Sequence, residues 1–257
     1  MKEENFEHFG IEFNSNEIKK YLNRENFAII NTACENNECI RYRREHWDYF
    51  EKIRDNINID DYSINIWPPS YKYCMEDGTL RLSDEFCKKY QEACLMVYDA
   101  NIDFFKKLNK RDFIEKIDNI LYENREYIKI TNLNEYKGKS GIYIMILDEY
   151  KQIYVGQSKD IRRRILTHWK REPRFDSLIF PNIKKSNIQI DSFGVLDTTR
   201  IYVKEEAMKT MYSLDKEEKR IVEKIPKEYL INRIGGGIRL NSLEKIIDTI
   251  NFRKLKI

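Results

Sequence analysis

The spacing of apolar residues changes character along the chain. From Ser83 onward, Phe86, Tyr90, Cys94, Val97, Tyr98, Ile102, Phe105 and Leu108 recur every three to four residues, which predicts a long amphipathic helix. Asp84 and Glu85 put negative charge in its first turn, where the helix dipole favours it. A break near Asn109 separates it from a second helix whose apolar face is Phe113, Ile117, Ile120 and Leu121. Upstream, Asn14 with Glu17 three positions on reads as a capping box and predicts a short helix over 14–23. Residues 27–31 and 39–43 are β-like, 45–57 are expected to be helical, and 67–70 form a break. The first 130 residues thus read as a mainly helical domain with no legible chemistry.

Residues 131–139 lack periodicity and read as a linker. Beyond them the period shortens. Gly141–Leu147 is a continuous apolar run, followed by polar residues 148–151 and then Ile153, Tyr154, Val155 and Gly156. This pattern predicts a β-hairpin. A turn centred between Asp148 and Glu149 would set Tyr143 directly across from Tyr154. A helix follows, with Ser158 as expected N-cap and Asp160 in the first turn. Arg164 and His168, four apart, share a face with Ile161 and Ile165. An Arg beside inward apolar positions calls for an anion or carboxylate, because an unpaired buried charge costs several kcal/mol, on the order of 3–5.

Composition narrows the class. The chain has 257 residues, 41% hydrophobic and 35% charged, and no run approaches the ~18 apolar residues of a membrane span. No membrane partner is therefore expected. The start, Met1-Lys2-Glu3-Glu4-Asn5, has neither the basic n-region nor the apolar h-region of a secretory signal, so a cytoplasmic location is expected. Five cysteines at 34, 39, 74, 87 and 94 form no disulfide framework and match no common zinc spacing; reduced thiols are expected. The net charge of +3 divides into about −6 over residues 1–130 and about +9 over the rest. A polyanionic partner would therefore meet the second half.

Gly141-Ile142-Tyr143, then ten residues, then Tyr154-Val155-Gly156, with Arg164 eight residues beyond Gly156 and His168 one turn later, resembles the signature of the GIY-YIG nuclease family. Singly, Tyr143 and Tyr154 suit ordinary strand aromatics, His168 a core histidine and Glu218 a surface charge; their joint spacing carries the resemblance. It covers about residues 138–237 and implies an α+β fold, with a small antiparallel sheet against flanking helices, over 140–257. It also implies a metal-binding Glu on a later helix and an Asn beyond it. Glu218 fits the first, sharing a helix face with Leu214 and Val222. Glu217 is the alternative register. Asn232, just before Gly235-Gly236-Gly237, fits the second.

The resemblance implies hydrolysis of nucleic-acid phosphodiesters, DNA being the first expectation and RNA also compatible. Glu218 would hold a single Mg²⁺ or Mn²⁺, hard ions that prefer carboxylate oxygen. Tyr143 would activate water, provided nearby cations lower a phenol pKa that is ordinarily near 10. Arg164 would stabilise the transition state, while Tyr154 and His168 orient water and phosphate, His168 also being placed to assist proton transfer. Lys159, Arg162, Arg163, Lys170, Arg171 and Arg174, interleaved with Trp169 and Phe175, suit backbone phosphates and a stacked base. A last helix is expected from residue 241, with a basic end. The competing class is a catalytically inactive nucleic-acid-binding or assembly module on the same fold.

Overall fold

The computed structural model describes residues 5–16, 18–25, 27, 91–92, 94–171, 188–206 and 213–232, plus the backbone of residues 41–42, 72–74, 80–82, 84–90, 93, 211–212, 234–235 and 238–239. The elements are β1 (Asn5–His8), β2 (Ile11–Asn14), β3 (Arg41–Tyr42), β4 (Lys72–Cys74), β5 (Leu80–Leu82), α1 (Asp84–Lys107) and α2 (Lys110–Glu123). They continue with β6 (Ile128–Ile130), β7 (Gly141–Leu147), β8 (Gln152–Ser158), α3 (Ile161–Lys170), β9 (Arg200–Glu205), α4 (Met211–Val222), β10 (Ile234–Gly235) and β11 (Ile238–Arg239). The class is α+β. The expected helices over 45–57 and from residue 241 lie outside the described residues, as do Arg174 and Phe175. Among the described residues no helix is long and apolar enough to cross a membrane.

The central sheet is antiparallel in the order β6-β9-β7-β8. Every residue of β7 is buried, which explains its continuous apolar run: both faces are covered, so nothing selects alternation. Tyr143, Met145 and Leu147 point into one core with Ile161, Ile165 and Trp169 of α3. Ile142, Ile144 and Ile146 point into another with Phe113, Ile117 and Ile120 of α2 and Leu214, Ile221 and Val222 of α4. Fully burying each such Ile contributes roughly 1.5–3 kcal/mol.

The β7–β8 register differs from the expected one. Tyr143 lies across from Gly156, and Tyr154 across from Met145. The loop is Asp148–Lys151, with Lys151 in the left-handed region at φ 52, so its centre sits one residue later than assumed. Moving the centre by one moves each cross-strand partner by two, which preserves the face. Both phenols therefore remain on the α3 side as diagonal neighbours, with ring centroids 6.2 Å apart.

The N-terminus also departs from expectation. The helix expected over 14–23 is absent among the described residues there; residues 11–14 are instead a strand, paired in a hairpin whose two-residue turn, Phe9-Gly10, has φ 49 and φ 70. Two positive φ values give the type I′ turn that matches strand twist. Ile11 and Phe13 are buried and enter the same core as Tyr143 and α1 residues Val97 and Phe105. The segment expected as a linker carries a 3₁₀ turn, Leu133–Tyr136, anchored by Leu133, whose N–H donates to the Phe9 carbonyl at 2.9 Å. The strand before it, β6, is the sheet's edge.

Glycine at 156 has a steric cause, since a Cβ there would overlap the Tyr143 phenol. Gly156→Ala should lower stability by about 1–3 kcal/mol through overpacking. Urea unfolding checks this, and the loss should shrink when Tyr143→Ala is added, because the two positions share one space.

Candidate active site

Three elements bring the predicted side chains together. β7 supplies Tyr143, β8 supplies Tyr154, and α3 supplies Arg164 and His168. Asp160, not Ser158, caps α3: its carboxylate accepts from the Arg163 N–H at 2.9 Å. Ser158 instead bonds locally with the backbone of Asp160. With α3 started there, Ile161, Ile165 and His168 are buried, and His168 meets Tyr143 Oη through Nε2 at 2.8 Å. Tyr154 packs edge-on against the imidazole, with centroids 5.1 Å apart, and is only partly covered, whereas Tyr143 has no exposed surface. Arg164 is exposed at the surface and its charge acts on both phenols.

Burial governs the electrostatics of this cluster. It pushes the Tyr143 phenol well above 10, aided by Tyr154, while Arg164 opposes the rise. Tyr154 is pushed up to about 12 by burial, again against Arg164. Arg164 therefore does not bring either phenol down to neutrality, because desolvation of a phenolate outweighs one solvent-screened charge. Burial lowers His168, with Asp191 pulling it back up, so the ring is neutral at pH 7.

Asp191 escaped the sequence reading. It is buried at 7% exposure in a 3₁₀ turn, Ile190–Ser192, with its Oδ1 2.5 Å from His168 Nδ1 and Oδ2 3.3 Å from Arg171 Nη1. A carboxylate only accepts, so Nδ1 carries the ring proton, leaving the Nε2 lone pair for the Tyr143 O–H. No motif or spacing in the sequence marks residue 191.

On α4 the two glutamates separate. Glu217 accepts from Lys204 Nζ at 2.9 Å, Arg220 Nε at 2.7 Å and Tyr127 Oη at 3.2 Å. Glu218 is buried at 8% exposure, between Leu214 and Val222 on the inner face, and its charge raises both site phenols. Among the described residues no three His, Cys, Asp or Glu side chains converge as a metal cage. A lone carboxylate still suits Mg²⁺, which keeps several waters and completes its shell with substrate phosphate oxygens. Glu217 is already neutralised by the two cations Lys204 and Arg220.

Asn232 holds backbone. Fully buried, its amide accepts from the Val155 N–H at 2.9 Å and donates to the Val155 carbonyl at 2.7 Å. Together with the parallel bridge Ile153↔Leu230, it covers the outer edge of β8 and fixes the strand that carries Tyr154 and Gly156. Gly141 lies where a Cβ would strike the Lys204 carbonyl of β9.

The basic residues form a surface. Lys159, Arg163, Lys170 and Arg171 are exposed and Arg162 half-exposed. An open groove of about 480 Å³ runs beside α3 between Lys137, Arg162, Arg163, Lys170 and Arg171. Trp169 is not available to stack a base. It is 3% exposed, wedged against His8, Phe9 and Phe13 of the N-terminal hairpin, with its N–H donated to Thr198 at 3.0 Å.

Comparison with protein-family models, with curated proteins and with solved structures finds no match to this chain.

Hydrogen bonds from Arg220, then those from Lys204, hold the Glu217 carboxyl at about 2, below its usual 4.5. A depressed acid contributes stability above the unfolded pKa and loses it as pH falls through the folded one. Glu217→Gln should thus cost about 1–2 kcal/mol at pH 7, with the difference from wild type closing between pH 4.5 and 2. Urea midpoints across that range read it.

Proposed function

We propose that this protein is a metal-dependent endonuclease of the GIY-YIG type, hydrolysing nucleic-acid phosphodiesters, with DNA as the first substrate to offer. The observation that carries the reading is the contiguous phenol–imidazole–phenol cluster of Tyr143, His168 and Tyr154, with Arg164 and Glu218 acting on it electrostatically. Four residues singled out by motif spacing, Tyr143, Tyr154, Arg164 and His168, thus act on one another, together with Glu218, chosen by its helix face.

Arg164 is exposed, fully charged and planar, which suits two nonbridging phosphate oxygens as charge develops on them. Tyr154, partly open to solvent, would orient the attacking water. Tyr143 takes the water proton. Glu218 would hold the Mg²⁺ or Mn²⁺, whose chemistry is Lewis-acid stabilisation of the departing oxygen. Lys159, Arg162, Arg163, Lys170 and Arg171 would bind backbone phosphates, which position a polymer without reading its sequence. Residues 1–130 would serve target choice or partner contact.

One observation favours the alternative, a binding module without hydrolysis. Tyr143 is fully enclosed and its phenol is held protonated, so in this conformation it has no direct access to water.

Labelled supercoiled plasmid and single-stranded oligonucleotides separate the two. With Mg²⁺ or Mn²⁺ the wild type should cleave, and Arg164→Ala should lose roughly 100- to 1,000-fold in rate, as for one lost oxyanion donor. Glu218→Gln should abolish cleavage while Glu217→Gln retains it. Salt-sensitive binding without cleavage in any of these would favour the binding module.

A further inference from the structure

The two described histidines satisfy their rings differently. His8 bonds through Nε2 to a backbone carbonyl, that of Thr198, at 2.8 Å, which suffices for a ring that stays neutral. His168 faces the buried carboxylate of Asp191 instead. Burying a carboxylate is expensive, and a carbonyl would fix the same tautomer. Besides pairing with exposed Arg171 at 3.3 Å, a carboxylate adds stabilisation of an imidazolium, a species absent from the resting site and formed only if Nε2 receives a proton. The sole proton within hydrogen-bond distance of Nε2 among the described contacts is that of Tyr143.

We propose that Asp191 is a positioning residue for phosphodiester hydrolysis: it holds His168 as the Nδ1–H tautomer and stabilises the imidazolium that forms when Nε2 accepts the Tyr143 proton. The inference rests on the nuclease reading. In a conformation that opens Tyr143 Oη to the attacking water, a water O–H bond breaks, its proton passes to Tyr143 Oη and the phenolic proton passes to His168 Nε2. The water oxygen forms its bond to phosphorus while the P–O3′ bond breaks, and the O3′ oxyanion takes a proton from solvent. The imidazolium then returns its proton to solvent. No free phenolate accumulates, so the high proton affinity of buried Tyr143 ceases to be an obstacle. The Asp191 interaction strengthens as charge appears on the ring, the condition for lowering a barrier rather than merely binding.

The groups facing His168 are Tyr143 from β7, Tyr154 from β8 and Asp191 from the 3₁₀ turn, with Arg164 and Arg171 on α3 itself. Lys19 Nζ donates to the Asp191 backbone carbonyl at 3.2 Å, tying the turn to the N-terminal segment. Asp191 alone among them raises the proton affinity of His168.

The test is the pH dependence of kcat and KM for the full chain, as wild type, Asp191→Asn and Asp191→Glu, with ¹⁵N NMR of the His168 ring. Asp191→Asn should lose about 10- to 100-fold in kcat, the range seen when a partner orienting a histidine is removed, with KM unchanged. The acid limb of its kcat profile should move to lower pH, since the carboxylate no longer raises His168. Asp191→Glu should restore part of kcat. An unchanged kcat, or a loss with the acid limb unmoved and no rescue by Glu, overturns the proposal. If the wild type cleaves nothing, the nuclease reading fails by itself; the NMR then decides the pairing. An Nδ1-protonated neutral ring in the wild type supports it, and an Nε2-protonated ring overturns it.

Discussion

A phenol with no access to water sits in the middle of the central strand, and much of the C-terminal half is arranged around it. A buried hydroxyl left unpaired costs roughly 1–3 kcal/mol, so Tyr143 requires an acceptor, supplied by His168. Its ring requires space, which the absent side chain of Gly156 provides. The acceptor in turn requires a fixed tautomer, set by Asp191. A one-residue slip of β7 would turn the phenol toward the α2 and α4 side, among Ile117, Leu214 and Ile221, where the described core offers apolar side chains. Hairpin register and the rotational phase of α3 are thus constrained by the same hydroxyl.

The segment that carries Asp191 is itself held from the other end of the chain. Asp197 Oδ2 accepts from the Leu22 N–H at 2.6 Å and the Gly194 N–H at 2.7 Å, and its Oδ1 accepts from Tyr150 Oη at 3.1 Å. The Val195 and Leu196 N–H groups donate to the carbonyls of Lys19 and Lys20. At Gly194 the two segments approach so closely that a Cβ would overlap the Lys20 backbone. Residues 5–27 thus reach the site through the turn that orients His168, and through Trp169, packed beneath the N-terminal hairpin.

The β7–β8 hairpin, α1, α2 and α3 were legible because each is specified by local spacing. The same spacing placed His168, Ile161 and Ile165 on one face, and Glu218 with Leu214 and Val222. Where local signals compete, the reading failed. Asn14 with Glu17 matched a helix cap, but Ile11 and Phe13 gain more by alternating into a core that also takes in α1, β7 and α3, more than 80 positions away. Asp160 displaced Ser158 as cap by a choice between two suitable side chains. Trp169, amid basic residues, resembled a stacking platform until the distant hairpin covered it.

The sequence by itself determined the β7–β8 hairpin, the helices α1 to α4 and which chemical groups each presents, because helical and strand periods are properties of adjacent residues. Parity along a strand survived even an error in turn position, since a two-residue shift leaves the face unchanged. Only the tertiary structure decided which glutamate is neutralised by Lys204 and Arg220, that Asn232 is spent on the β8 backbone, and that Asp191 meets His168. Apart from Glu217 with Arg220, three positions apart on one helix, those pairings join residues 13 to 77 positions apart, and no local period encodes them; they arise when the cores on the two faces of β7 close and each buried polar group takes the partner that packing brings within reach.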